Sequence, residues 1–105
     1  MSGSGGGGPY GGSGFRETGC DIVEQVPLNS VQADVLTELQ TNQALVVELR
    51  DNALVAAVSA GGEFAGSLTP SSLAALIRCI EKGHEYSAVV TRISGALVEV
   101  EIRPR

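Results

Sequence analysis

Apolar and polar residues alternate without a break near the C-terminus of this chain: Val98, Val100 and Ile102 take one parity, Glu99, Glu101 and Arg103 the other. A period of two is that of a strand with one dry face and one wet one. LVEVEIRPR therefore reads as a half-buried strand, which Pro104 stops at an edge. EYSAVVTRIS before it has the same character, and Gly95-Ala96 supplies a tight turn, so the two segments form a hairpin.

The middle of the chain repeats the pattern. ALVVELR places Leu45, Val47 and Leu49 on one face, the dipeptide DN offers a two-residue turn, and ALVAAVS returns with Leu54, Ala56 and Val58. Gly61-Gly62 provides a second turn into EFAGSL, which completes a three-stranded meander. Earlier, CDIVEQV alternates well enough for a first strand that points Ile22 and Val26 inward and ends at Pro27. In simple alternation, Val46, Val89 and Ile93 fall on the faces opposite the core and mark a surface for a partner.

Two segments carry the longer helical period instead. NSVQADVLTELQTN aligns Val31, Val35, Leu36 and Leu39 in one stripe, with Asn29 or Ser30 as cap, Gln32 placed as in a capping box and Asn42 as stop. TPSSLAALIRCIEKG aligns Leu73, Leu76, Ile77 and Ile80, with Cys79 on the flank. Thr69 stands at its cap position, Pro70 at the first helical position and Gly83 at its end, which predicts a helix over about residues 70–82.

The order is β-α-β-β-β-α-β-β. Six short strands joined by turn-rich connections reduce their exposed edges most simply by curling, so the expected fold is α+β: a small six-stranded, mostly antiparallel β-barrel or strongly curled sheet with two short helices. An open sheet backed by both helices is the alternative. This single domain spans about residues 19–105. Residues 1–18, rich in glycine and serine, offer few side chains to pack and predict a disordered tether, in which Tyr10 and Phe15 are incidental.

Composition narrows the function more than it names one. Twelve acids against seven bases leave a net charge of -5, scattered along the chain, which favours solubility and disfavours a phosphate-binding surface. No segment is long and apolar enough for a membrane span and the start lacks a signal-peptide pattern, so the expectation is a soluble cytoplasmic protein without membrane attachment. In a reducing cytosol Cys20 and Cys79 are two small buried thiols. A disulfide between them is the alternative, decided by their separation in space.

Residues 61–95, GGEFAGSLTPSSLAALIRCIEKGHEYSAVVTRISG, are similar in layout to the HIRAN domain. The shared points are a strand ending in Gly-x-Leu (Gly66, Leu68), a helix running to Gly83, and a strand of the form A-x-V-x-x-I-x-G (Ala88, Val90, Ile93, Gly95). The resemblance extends over about residues 44–103 and rests on apolar and glycine positions, which specify a fold. It implies a six-stranded barrel with two helices and, as in the helicase-linked members, a grip on the 3′ end of single-stranded DNA. The family uses for that grip an Arg-aromatic pair before the meander and an Asn-x-x-Asp-x-Asn-Ala segment within it. Here LRDNALVAAV keeps Arg50, Asp51, Asn52 and Ala53, and the aromatic residues are absent. Stacking contributes ~1–3 kcal/mol per base in single-strand binders, so the fold carries over further than the DNA activity.

No residue set points to catalysis. His84 is the one histidine and reads as an exposed loop residue; as a general base it would need an adjacent nucleophile and an orienting group, and Ser87 is near it only in sequence. His84 and Cys79 lack the further ligands a metal needs, and no glycine-rich loop leads from a strand into a helix with the Lys-Ser or Lys-Thr of a phosphate loop. Phe64 and Tyr86 read as core or barrel-mouth fillers. The expectation is a non-catalytic interaction or assembly module without cofactor or metal, which binds a protein partner or itself through the surface of Val46, Val89 and Ile93. The rival is HIRAN-like binding of DNA 3′ ends, with Arg50, Arg78, Lys82 and Arg92 as phosphate contacts.

Overall fold

A computed structural model describes residues 18–105; the expected tether over residues 1–18, with Tyr10 and Phe15, lies outside the described residues apart from Thr18. A single 3-10 turn, Thr18–Cys20, precedes strand β1 (Glu24–Pro27), helix α1 (Ala33–Leu36), strands β2 (Ala44–Arg50), β3 (Ala53–Ala57) and β4 (Phe64–Ser67), helix α2 (Leu73–Glu81), and strands β5 (Tyr86–Ser94) and β6 (Leu97–Pro104). The element order is the one read from the sequence. One six-stranded sheet results, ordered β1-β6-β5-β2-β3-β4, with every neighbouring pair antiparallel.

The turns explain the hairpins. Asp51 and Asn52 both have positive φ, 52° and 65°, as a two-residue turn between twisted strands demands. Alternation along β6 buries Val98, Val100 and Ile102, which meet Leu45, Leu54, Leu76, Tyr86 and Val90 in one core.

The sheet curls into a half-barrel whose two end strands meet at one point. Just past β1, the Asn29 N–H donates to the Ser67 carbonyl at 2.9 Å and the Ser67 N–H donates to the Asn29 carbonyl at 2.8 Å. Gly66 allows that seam. A Cβ there would sit 2.6 Å from Leu28 Cγ and 2.7 Å from the Asn29 carbonyl oxygen, closer than real side chains pack.

The same seam shortens the first helix. Asn29 is spent on β4, Ser30 turns with φ 55°, and α1 is left as a single turn whose N-cap residue is Gln32, rather than a helix capped at Asn29 or Ser30. Its apolar stripe survives: Val35 and Leu39 are buried, and Val31 and Leu36 pack against the core.

The second helix starts at Leu73 rather than at residue 70, with Ser72 as its N-cap residue. Thr69 does not cap it; its hydroxyl accepts from Asn29 Nδ2 at 3.1 Å. The cap comes from β1. Glu24 accepts the backbone N–H groups of Ser71 and Ser72 at 2.7 and 3.2 Å and their hydroxyls at 2.9 and 2.6 Å. Leu76 and Cys79 are buried and Leu73 and Ile80 pack beside them, so Cys79 takes the inward place expected for Ile77.

The expectation of two thiols is corrected: Cys20 and Cys79 are joined in a disulfide, their Cα atoms 5.7 Å apart. The folding of residues 18–23 across α2 brings together cysteines 59 positions apart. A second correction concerns Ile93. The β5–β6 register slips between Val90 and Arg92, so Arg92 faces Glu99 and Ile93 faces the buried Val98. This bulge reverses the parity of everything beyond it, and Ile93 packs against the core.

Candidate interaction cleft

β2 and β5 pair only from Ala44 to Val46, opposite Val89 to Ser87. Beyond Val46 the strands part, and from Glu48 to Arg50 the ladder of β2 is with β3 alone. α2 packs against β2. Its C-terminus closes with the Gly83 N–H donating to the Ile80 carbonyl at 3.0 Å and the His84 N–H to the Cys79 carbonyl at 3.0 Å, with Gly83 at φ 102°. This paired closure through a left-handed glycine redirects the chain sharply. His84 and Glu85 thereby join Val46, Glu48, Ile80 and Arg105 among the residues that line an open concavity of about 480 Å³.

The charged groups of the cleft are already engaged. Glu48 Oε1 accepts from Arg50 Nε and Nη2 at 3.0 and 2.6 Å, Glu48 Oε2 accepts the Gly61 N–H at 2.7 Å, and Arg50 Nη2 also donates to the Gly62 carbonyl at 2.9 Å. The Gly61 N–H first, then Arg50, hold the Glu48 carboxyl below the ordinary glutamate range. A carboxylate fixed in its charged form is a poor proton shuttle and a good anchor. It anchors the β3–β4 turn over the outer face of the meander. Val55 and Ala57, which register places beside Glu48 and Val46 on that face, are consequently buried. Arg105 Nη2 lies 3.4 Å from Glu85, and the Arg105 N–H donates to the Glu85 carbonyl at 2.9 Å.

Of the expected partner residues, Val46 lines this cleft and Val89 lies on the adjacent strand, both partly buried, while Ile93 faces the core. The large apolar residues most exposed are Val23 and Leu97, at 60% and 43%, and neither lines the cleft. The four cations proposed for DNA do not gather. Arg50 is bound to Glu48 and Gly62, Arg92 sits past the bulge 3.8 Å from Glu99, and Arg78 and Lys82 are exposed at the end of α2.

The remaining candidate groups have structural tasks. Cys79 is oxidised, and Tyr86 is fully buried with its hydroxyl donating to the Cys20 carbonyl at 2.6 Å. Burial, reinforced by the nearby Asp21 charge, raises the pKa of that phenol. Phe64 is partly buried in β4. Among the described residues no group of three or more His, Cys, Asp and Glu is placed to hold a metal ion, and no helix is long and apolar enough to cross a membrane.

Sequence reasoning missed Glu48 and Glu24. Glu48 and Arg50 are two apart on one strand face beside a Gly-Gly turn, a signal that could have been read. Glu24 reaches residues 47 and 48 positions away, and no local pattern announces that. No protein-family model, curated protein or solved structure matches this chain.

Proposed function

We propose that this domain is a non-catalytic interaction or assembly module that binds a protein partner at the cleft beside β2. One observation carries the reading: β2 leaves β5 after Val46 and runs along an open concavity lined by Val46 and Ile80 together with Glu48 and Glu85, whose charges are paired with Arg50 and Arg105. A strand with a free side accepts an extended segment through its backbone, and alternate side chains of that segment then find the cleft. Val46 and Ile80 supply apolar contact, and Glu48, held rigid by Arg50 and Gly61, supplies a fixed acceptor.

A Val46→Glu substitution tests this, since it places a charge in the cleft without touching the buried core. Light scattering after size exclusion reads self-association, and affinity capture reads a partner. Wild type is expected to self-associate or capture a specific protein, and the variant to lose that interaction while keeping its fold. A strict monomer that captures nothing, or a variant that behaves as wild type, overturns the reading. Fluorescence anisotropy with a short 3′-ended oligonucleotide at low salt tests the nucleic-acid alternative, which has Arg50 engaged elsewhere and no stacking aromatic in the cleft lining. Salt-sensitive binding there would replace the protein-partner reading.

A further inference from the structure

We propose that the Cys20–Cys79 disulfide is a redox-operated latch: oxidised, it clasps residues 18–23 as a strap across α2, and reduction frees the strap while the sheet stays folded. The strap lies outside the sheet. Pairing with β6 begins at Glu24, opposite Ile102, and residues 18–23 occupy no place in the ladder. Among the contacts that hold the strap to the body are the disulfide, the bond from the Tyr86 hydroxyl to the Cys20 carbonyl, and the packing of Cys20 and Ile22 against the core. Val23, 60% exposed, adds no buried contact.

The release has a fixed end. At Glu24 the chain is held to the first turn of α2 by four hydrogen bonds from Ser71 and Ser72, and β1 follows at once. Opening therefore stops at residue 23. The interior built from Leu45, Val47, Leu54, Val90, Val98, Val100 and Ile102 belongs to strands on the far side of that hinge. Segments with few buried contacts open locally and independently of such a core.

The chemistry is a two-electron exchange with a dithiol. One thiolate of the reductant attacks a latch sulfur, the Sγ–Sγ bond breaks, and the reductant's second thiolate completes the exchange by closing its own disulfide; Cys20 and Cys79 each end with an S–H. Both cysteines are nearly buried, at 6% and 4% exposure, so a local fluctuation has to expose a sulfur before attack, and the strap is released only once the bond is broken. The latch is closed in an oxidising compartment and open in a reducing one.

Hydrogen exchange read by mass spectrometry on the full chain, oxidised and after dithiothreitol, tests the latch. The amides of residues 19–23 are expected to exchange on the order of tenfold faster after reduction, those of β5 and β6 to be unchanged, and reoxidation to restore the first pattern. A Cys20→Ser/Cys79→Ser double variant should reproduce the reduced pattern without reductant. Equal protection of the strap in both states, two free thiols titrated in the oxidised sample under denaturant, or loss of sheet circular dichroism on reduction or in the double variant would each overturn it.

Discussion

Replacing Glu24 probes a polar contact that ties the first strand to a helix 47 and 48 positions away. Its carboxylate serves as the cap of a helix it does not belong to, accepting two backbone N–H groups and two hydroxyls of Ser71 and Ser72. In Glu24→Ala the hydroxyls can turn to water, so the loss is confined to the two N–H groups and the helix-terminus charge. An N-cap side chain contributes about 0.5–2 kcal/mol, and a carboxylate near a helix start up to about 1 kcal/mol when exposed. Glu24 is only partly buried, which discounts both, so the expected cost of Glu24→Ala is about 1–2 kcal/mol. Glu24→Gln, which keeps one acceptor oxygen, should cost about half of that. For a domain of this size 1 kcal/mol moves the midpoint by roughly 4–8 °C, so Glu24→Ala should melt roughly 5–15 °C lower.

Acid provides the second arm. The Ser72 hydroxyl first, with the Ser71 and Ser72 backbone N–H groups and the Ser71 hydroxyl, lowers the Glu24 pKa below its ordinary value of 4.5, against an opposing contribution from burial. A lowered folded-state pKa means stability that is complete above the unfolded value and disappears as pH falls through the folded one. Urea denaturation at pH 7 and again well below pH 4 should therefore show the gap between wild type and Glu24→Gln shrinking in acid. Thr69→Ala is the control, expected to cost ~0.5 kcal/mol or less because Thr69 accepts only from the Asn29 side chain. An E24A variant within ~0.5 kcal/mol of wild type at pH 7, a gap that persists in acid, or a larger loss from Thr69→Ala than from E24A would refute the cap.

Three further outcomes follow from the geometry. Gly66→Ala should cost about 1–3 kcal/mol or more in denaturant unfolding, because its methyl group collides with Leu28 and the Asn29 carbonyl at the seam. Tyr86→Phe, which strips the Cys20 carbonyl of its buried donor, should cost about 1–3 kcal/mol and speed amide exchange in residues 19–23. Glu48→Gln should loosen residues 59–63, seen as faster exchange there at neutral pH; wild type should approach that behaviour in acid, since the Glu48 pKa is lowered and its contribution is lost as pH falls through it.

What could be read from the chain was local. Period-two segments became strands, Asp51-Asn52 became the turn its residue types favour, and Gly83 closed α2 through a left-handed turn. What could not be read was set by contacts between distant segments. Asn29 is as good a cap as it is a turn residue, and the choice fell to Ser67, 38 positions on. Ile93 has the parity of Val89 on paper, and one extra residue at Thr91 reverses it in the sheet. The cysteine pairing depended on where the chain before Glu24 lies. In the cleft, Val46 was legible as an outward-facing apolar residue, but not the parting of β2 from β5 that gives it a site.

The Asn29–Ser67 bridge also bears on how the molecule coexists with its own copies. Unprotected strand borders recruit identical borders from neighbours, and chains built that way stack into fibrils. Here a pair of backbone hydrogen bonds draws the ends of the two terminal ribbons together and occupies part of each border. A polypeptide beginning after Asn29 would forfeit that guard and should precipitate at concentrations where the whole chain stays clear.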